Sequence, residues 1–334
     1  MKISSIGGQG VLEGVMMRSP TCTGIAVRRE SGEMAVQKTK NKPATERNVF
    51  FRIPVIRGFL SFIEMLYLGV KTITDAVRLY DEELAEEELK PNKAEEFVAK
   101  KTGKDVMDVT MFFAVVIALV LAVVLFFVVP NVLTGFLEPY IANDFLKNLT
   151  EGLIRLAIFF IYMSCITLMP DIKRLFSYHG AEHKVINCYE HDMPMDVENA
   201  QKFTTRHPRC GTSYLLIVMI ISILVFALFG WQDNPLARVG VRIALLPVVS
   251  GVAYEVLKLV AKYENGFTRA LRKPGMALQA MTTREPDDTM VEAALLAFFI
   301  AEDEHTDEEI EAKRIAFSRM NPEDNTSDGS GEDE

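Results

Sequence analysis

Val109–Leu137 reads VTMFFAVVIALVLAVVLFFVVPNVLTGFL, a run without a single charged residue. About 20 apolar residues suffice to cross a bilayer core as a helix. Pro130 is expected to end the helix, leaving roughly 21 residues for one crossing. Three further apolar segments follow: Ile154 to Met169, stopped by Pro170; Tyr214 to Trp231; and Val239 to Leu257, which carries Arg242 and Glu255 near its ends. The expected fold is mainly α, a polytopic α-helical membrane bundle with a small N-terminal β element and cytoplasmic polar loops.

Four crossings put the N-terminal block, the 171–212 loop and the C-terminal segment on one side. The 171–212 loop holds Lys173, Arg174, Lys184, Lys202, Arg206 and Arg209, and Lys258, Lys262, Arg269, Arg272 and Lys273 follow the last span. The opposite loops offer Lys147, Arg155, Arg238 and Arg242. Excess lysine and arginine marks the cytoplasmic side, so the expectation is a multi-pass protein of a bacterial plasma membrane with both termini in the cytoplasm. Met1 to Gly14 has no apolar core of signal-peptide length, and insertion would fall to the internal spans.

Outside the bundle the chain divides into four parts. Residues 1–46 read as a small β unit, in which Ile25–Glu30 and Glu33–Lys38 flank a Ser31-Gly32 turn as a hairpin. Gly7, Gly8, Gly10 and Gly14 lie upstream without Rossmann or P-loop spacing and suggest tight turns or a ligand-contacting loop. Residues 47–107 read as an amphipathic helix over 50–80, lying on the membrane or against the bundle, and then a charged connector. The bundle occupies 108–258. Residues 259–302 form a cytoplasmic segment, loop-like over Pro274–Pro286 and a short amphipathic helix over Thr289–Ile300. Residues 303–334 form an acidic, largely disordered tail that carries much of the net charge of -9. The Arg28-Arg29 pair reads as a solvated strand face. No basic patch interleaved with aromatics is present, so nucleic acid is not an expected partner. The lipid bilayer is.

Four of the five histidines, His179, His183, His191 and His207, fall in the 171–212 loop. His179-Gly180-Ala181-Glu182-His183 is an H-x-x-E-H sequence. On a helix the two imidazoles share a face and can reach one ion, and Glu182 beside them can activate water as a general base. A third ligand is needed. Glu255, near the cytoplasmic end of the fourth span, is one candidate, with pairing to Lys258 as the plainer alternative; His207 and Cys210 are others. A separate structural zinc site is also readable, with Cys188 and His191 as C-x-x-H and His207 and Cys210 as H-x-x-C. The histidines could equally be ordinary interfacial residues. Glu13, Arg18, Gln279, Thr282, Thr283, Arg284 and Glu285 would lie on the same side and could line a pocket, with turn or capping chemistry as the plainer explanation of each.

Taken together, GGQGVLEGVMMR at Gly7–Arg18, HGAEHK at His179–Lys184, HPRCGTS at His207–Ser213 and QAMTTREP at Gln279–Pro286 resemble the YqhQ family of bacterial membrane proteins. The resemblance covers nearly all of the chain except the acidic tail. It implies a domain of unknown function that has been labelled a metal-dependent enzyme, with no settled substrate. The leading expectation is a zinc-dependent, hydrolytic membrane enzyme: Zn2+ on His179 and His183, Glu182 activating water, and Glu255 or His207 completing the shell, or else His183, His207 and Cys210 sharing one ion. Its substrate would be cytosolic or membrane-borne. The alternative is a non-catalytic scaffold or transport accessory with a zinc-clamped loop; a small transporter is weaker still.

Overall fold

The structure, a computed structural model, describes residues 4–41, 53–80, 106–263 and 265–318, together with 98, 100, 101 and 103. The chain is mainly helical, with an antiparallel four-stranded meander at its N-terminus: β1 (Gly7–Val11), β2 (Gly14–Arg18), β3 (Cys22–Arg28) and β4 (Met34–Lys40), in that order across the sheet. The expected hairpin is β3–β4, with Gly32 at φ 84 in its turn. The glycine run upstream is a second hairpin, where sequence suggested tight turns or a ligand-contacting loop. It turns on Leu12 and Glu13, with Glu13 at φ 49.

Both faces of the sheet are covered, so β2 and β3 show little of the polar alternation of a half-exposed strand. Val11, Met16, Ile25 and Val27 pack with Ala76 of α1 (Ile56–Tyr80). Val15, Met17, Ala26 and Met34 pack under α5 (Pro170–Glu190) and α11 (Asp288–Glu302). Helix α11 was expected to be amphipathic, but Met290–Ala301 are buried on every side, as befits a helix apolar all round. Its one buried carboxylate, Glu292, pairs with Arg28 at 2.8 Å, so Arg28 is not a solvated residue. Part of the supposed tail is ordered too. Helix α12 (Asp307–Phe317) opens on a capping box between Thr306 and Glu309 and packs against β4. Thr306→Ala should cost about 1 kcal/mol, visible as faster amide exchange confined to α12. The connector over 81–97 and the tail after 318 lie outside the described residues.

The apolar helices lie on either side of α5 in the sequence. Two are long and apolar enough to cross a membrane, over Asp108–Tyr140 and Asp144–Ile166. The first contains α2 (Val106–Val123), a π-helical turn at Val124–Val128 and α3 (Val129–Leu137); the second is α4 (Asp144–Ile166). Pro130 does not end the first helix. Its missing N–H frees the carbonyl of Phe126 four residues back, and Arg155 Nε of α4 donates to that oxygen at 2.8 Å. A short helix, α6 (Val197–Gln201), follows α5. Then come α7 (Thr212–Leu228), whose apolar length is shorter, and the pair α8 (Pro235–Ala244) and α9 (Leu246–Lys262). That pair is bent by 43° and makes a third candidate span if taken as one. Helix α10 (Gly266–Thr282) runs through Pro274, where a loop was expected.

Arg155, Arg238 and Arg242, assigned from sequence to the outer loops, are instead buried among these helices. Glu151 lies between Arg155 at 2.5 Å and Arg242 at 2.8 Å, and Arg242 also donates to Asn148. The guanidinium of Arg238 stacks on the Trp231 ring at 3.9 Å.

Candidate metal centre

Helix α5 carries the H-x-x-E-H residues where it crosses beneath β1. The approach is close because Gly10 has no side chain: a Cβ there would lie 2.6 Å from Leu175 O and 2.9 Å from His179 N. Glu13, in the β1–β2 turn, fixes the register by binding Arg174 and, at 3.2 Å, the Tyr178 hydroxyl. One turn on, Gly180 admits the 282–284 segment. Arg284 N donates to Phe176 O at 3.0 Å, and a Cβ on Gly180 would sit 2.0 Å from Arg284 O.

These contacts decide how the histidines are protonated. His179 Nδ1 lies 2.8 Å from Thr282 O, and His183 Nδ1 lies 2.6 Å from Thr205 O. A carbonyl oxygen only accepts, so each Nδ1 is the donor and each Nε2 presents a lone pair. Both lone pairs face one spot. The rings are 4.5 Å apart, and Cys210 Sγ is 3.2 Å from His179 Nε2. The ligand atoms of His179, His183 and Cys210 all lie within 4.8 Å of one another. Zinc bonds of about 2.0–2.3 Å at tetrahedral angles set N and S ligands roughly 3.3–3.6 Å apart, so side-chain adjustments suffice to close this set on one ion.

Glu182 stands beside the three. Its Oε1 accepts from Gly8 N at 2.9 Å, while Oε2 is 3.5 Å from His183 Nε2 and 3.8 Å from His179 Nε2. Glu182 Oε2 and His183 Nε2 are both buried without a hydrogen-bond partner. With Glu182 ionised these are two adjacent buried acceptors without a donor, an arrangement that calls for a cation; with Glu182 protonated its own O–H faces His183 Nε2. Burial pushes the Glu182 carboxyl up to about 8 and holds His183 well below the ordinary imidazole value, so His183 stays neutral and ready to ligate. Burial also raises the Cys210 thiol, against the Thr212 amide and hydroxyl that hydrogen-bond its sulfur.

The other residues singled out by sequence go elsewhere. Glu255 is not near the histidines' shared point: both its oxygens bind Arg57 of α1, at 2.7 and 2.5 Å. Burial pulls the His207 pKa down to about 4, and its Nε2–H donates to the Glu190 carboxylate at 3.3 Å, so that nitrogen is committed outside the group of His179, His183 and Cys210. Cys188 bonds Pro194 O, and His191 bonds Asn187 O and lies on Phe203, so the four residues of the suggested structural site do not gather. Among the described residues the group that does is His179, His183 and Cys210.

Of three supports, the sequence reading named Gln279 and Thr282 without their roles and missed Thr205. Gln279, fully buried, clamps the backbone of His207 in both directions, at 2.9 and 2.8 Å, and so holds the strand leading to Cys210. Thr205 and Thr282 act through their carbonyls, to which any residue type contributes, and no side-chain pattern could have marked them. Gly180→Ala should test this frame. The added methyl meets backbone rather than a movable side chain, so a loss of about 1–3 kcal/mol is expected, with a 10–100-fold drop in metal affinity as Thr282 leaves His179. Thermal melts and zinc titration in micelles would read both.

Comparison with known proteins places this geometry in a family. The model described as "Protein of unknown function (DUF1385)" matches residues 53–304. The chain belongs to the DUF1385 family. It is 35% identical over 294 residues to the "Uncharacterized protein YqhQ" of Bacillus subtilis (strain 168), covering 87% of this chain and 90% of the relative. No solved structure matches. The DUF1385 match takes in the H-x-x-E-H helix, Cys210 and the 282–284 segment, and begins after the sheet that supplies Gly8.

Proposed function

We propose that this DUF1385 protein is a zinc-dependent hydrolase held in the bacterial plasma membrane, with its centre at the cytoplasmic face. The observation that carries the reading is the pair of histidines whose Nδ1 atoms are spent on backbone carbonyls, leaving two Nε2 lone pairs and Cys210 Sγ around one point. Backbone carbonyls that orient imidazoles in this way are the usual outer support of metal ligands. Three protein ligands leave a fourth position open, which favours a catalytic over a structural zinc.

Zinc bound there would supply Lewis acidity toward water and a substrate carbonyl. The chain's own part is proton handling. Glu182 Oε2, beside both Nε2 atoms, would take a proton from the attacking water as the C–O bond forms, and the same carboxyl would return it to the leaving group as the scissile bond breaks. Gly8 N–H holds Oε1 so that Oε2 keeps its aim.

Parity supports four crossings. The sheet, α5 and α11 pack as one body, so the chain crosses the membrane an even number of times between each of them. The helices over 108–140 and 144–166 account for two, and α7 with the bent α8–α9 pair for two more. The basic residues on that body's side make it cytoplasmic.

Metal analysis of the full chain purified in micelles tests the centre. Wild type should hold one zinc, and His183→Ala and Cys210→Ser less than about a tenth of that. Equal zinc in all three, or none in wild type, would sink the reading.

A further inference from the structure

Helix α1 is amphipathic, yet its polar side is the one spent on the protein. Arg57 binds Glu255, Glu64 pairs with Arg18 at 3.2 Å, and Asp75 accepts from Gln37 of β4 at 3.4 Å. Arg78 pairs with Asp108, at the start of α2, at 3.0 Å. The apolar residues Ile63, Leu66, Tyr67 and Ile73 are left exposed. A helix on a water-facing surface has the opposite arrangement. One that meets acyl chains has this one.

Between α1 and the first two turns of α2 lies an open groove of about 790 Å³. Its two ends differ. Around the Arg78–Asp108 pair it is polar. Away from that pair its walls are Tyr67 and Val70 on α1 and Met111, Phe112 and Val115 on α2. The α2 wall belongs to the uncharged run Val109–Leu137, so the apolar end of the groove is continuous with a helix surface suited to lipid. Lys71 stands between the two ends, exposed on α1, and makes no ion pair among the described residues. Arg78 and Asp75 already have protein partners, so the charge this groove offers a ligand is positive. Lysine suits that place, because its stem lies along apolar surface while its ammonium stays at the polar level.

We propose that the groove binds one anionic phospholipid, with its phosphate on Lys71 and an acyl chain along Met111–Val115. This rests on the membrane reading above and is independent of the zinc centre. A cation at the polar end and an apolar wall running into a lipid-facing helix match a molecule with an acidic head and a hydrocarbon tail. The lipid would seat α1 on the cytoplasmic leaflet, where anionic lipids are concentrated. Through Ala76 it would hold the sheet there as well.

The test uses the full chain in vesicles of equal phosphatidylglycerol and phosphatidylcholine. The photoreactive residue p-benzoylphenylalanine replaces Phe112 in the groove or, as a bulk-lipid reference, Leu121 on the same helix; the two are 63% and 61% exposed. Adducts are identified by mass. At position 112, phosphatidylglycerol adducts should outnumber phosphatidylcholine adducts about fivefold, the preference one lysine confers at a lipid surface. At position 121 the two should be equal. Lys71→Glu should bring position 112 to parity, and Lys71→Arg should keep the preference. Equal adducts or none at position 112, or a preference that survives Lys71→Glu, would overturn the proposal. So would adducts joining position 112 to residues 81–97 or to a second copy, which would make protein the occupant. Lipid adducts at neither position would sink the membrane reading itself.

Discussion

Glu182→Gln is expected to leave zinc bound and to slow the reaction by about 10²–10⁴-fold, the usual share of a positioned acid–base group. Glutamine keeps the shape and an oxygen for Gly8 N, and none of the three proposed ligands changes. What it loses is the capacity to take a proton. Because the natural substrate is unidentified, the readout is cellular. A strain carrying the variant should match, in its quantitative membrane proteome, a strain lacking the gene, while the variant protein is present, inserted and zinc-loaded. If it instead matches wild type where the deletion does not, Glu182 has no chemical role.

The largest stability effect is expected at Glu151. This carboxylate, 1% exposed, binds Arg155 and Arg242, themselves 5% and 1% exposed. Glu151→Ala leaves two guanidinium groups buried with their main counter-charge removed, and breaking a buried pair this way costs roughly 3–5 kcal/mol. Cation–π contacts of Arg155 and Arg242 with Phe226, at 5.2 and 4.8 Å, offset only part of that. Unfolding in micelles should show the loss, with the α4–α8 contact failing first. A cost under 1 kcal/mol would mean that the helices are held together by apolar packing alone and that the charges can reach water.

What the sequence made legible was local. The uncharged run at Val109–Leu137, the amphipathic helix at Ile56–Tyr80 and the β3–β4 hairpin each announce themselves within a few turns of chain. So does the spacing of His179, Glu182 and His183. The misses share a physical cause, since each depends on a partner distant in sequence. Gly7–Gly14 did not read as strands because β1 is mostly glycine, which has no side chain with which to alternate, and β2 is buried on both faces. Arg155 looked like a loop cation because nothing nearby reveals that Pro130 frees a carbonyl for it. Glu255 looked like a ligand because its partner, Arg57, lies 198 residues away. Cys210 was one of several possible ligands, and local spacing could not rank it above His207, whose Nε2–H donates to Glu190.

The centre is assembled from four stretches of chain, near positions 8, 180, 210 and 283, and its roof is pinned by α11, among the last parts to be synthesised. A ribosome therefore releases the sheet long before anything can cover its second face. Val15, Met17 and Ala26 must wait, shielded by chaperones or by the bilayer surface, until every crossing has been threaded and α11 has emerged. A nascent chain thus has two histidines without the carbonyls and sulfur that orient them, so the proposed centre can form only after the chain through α11 has emerged.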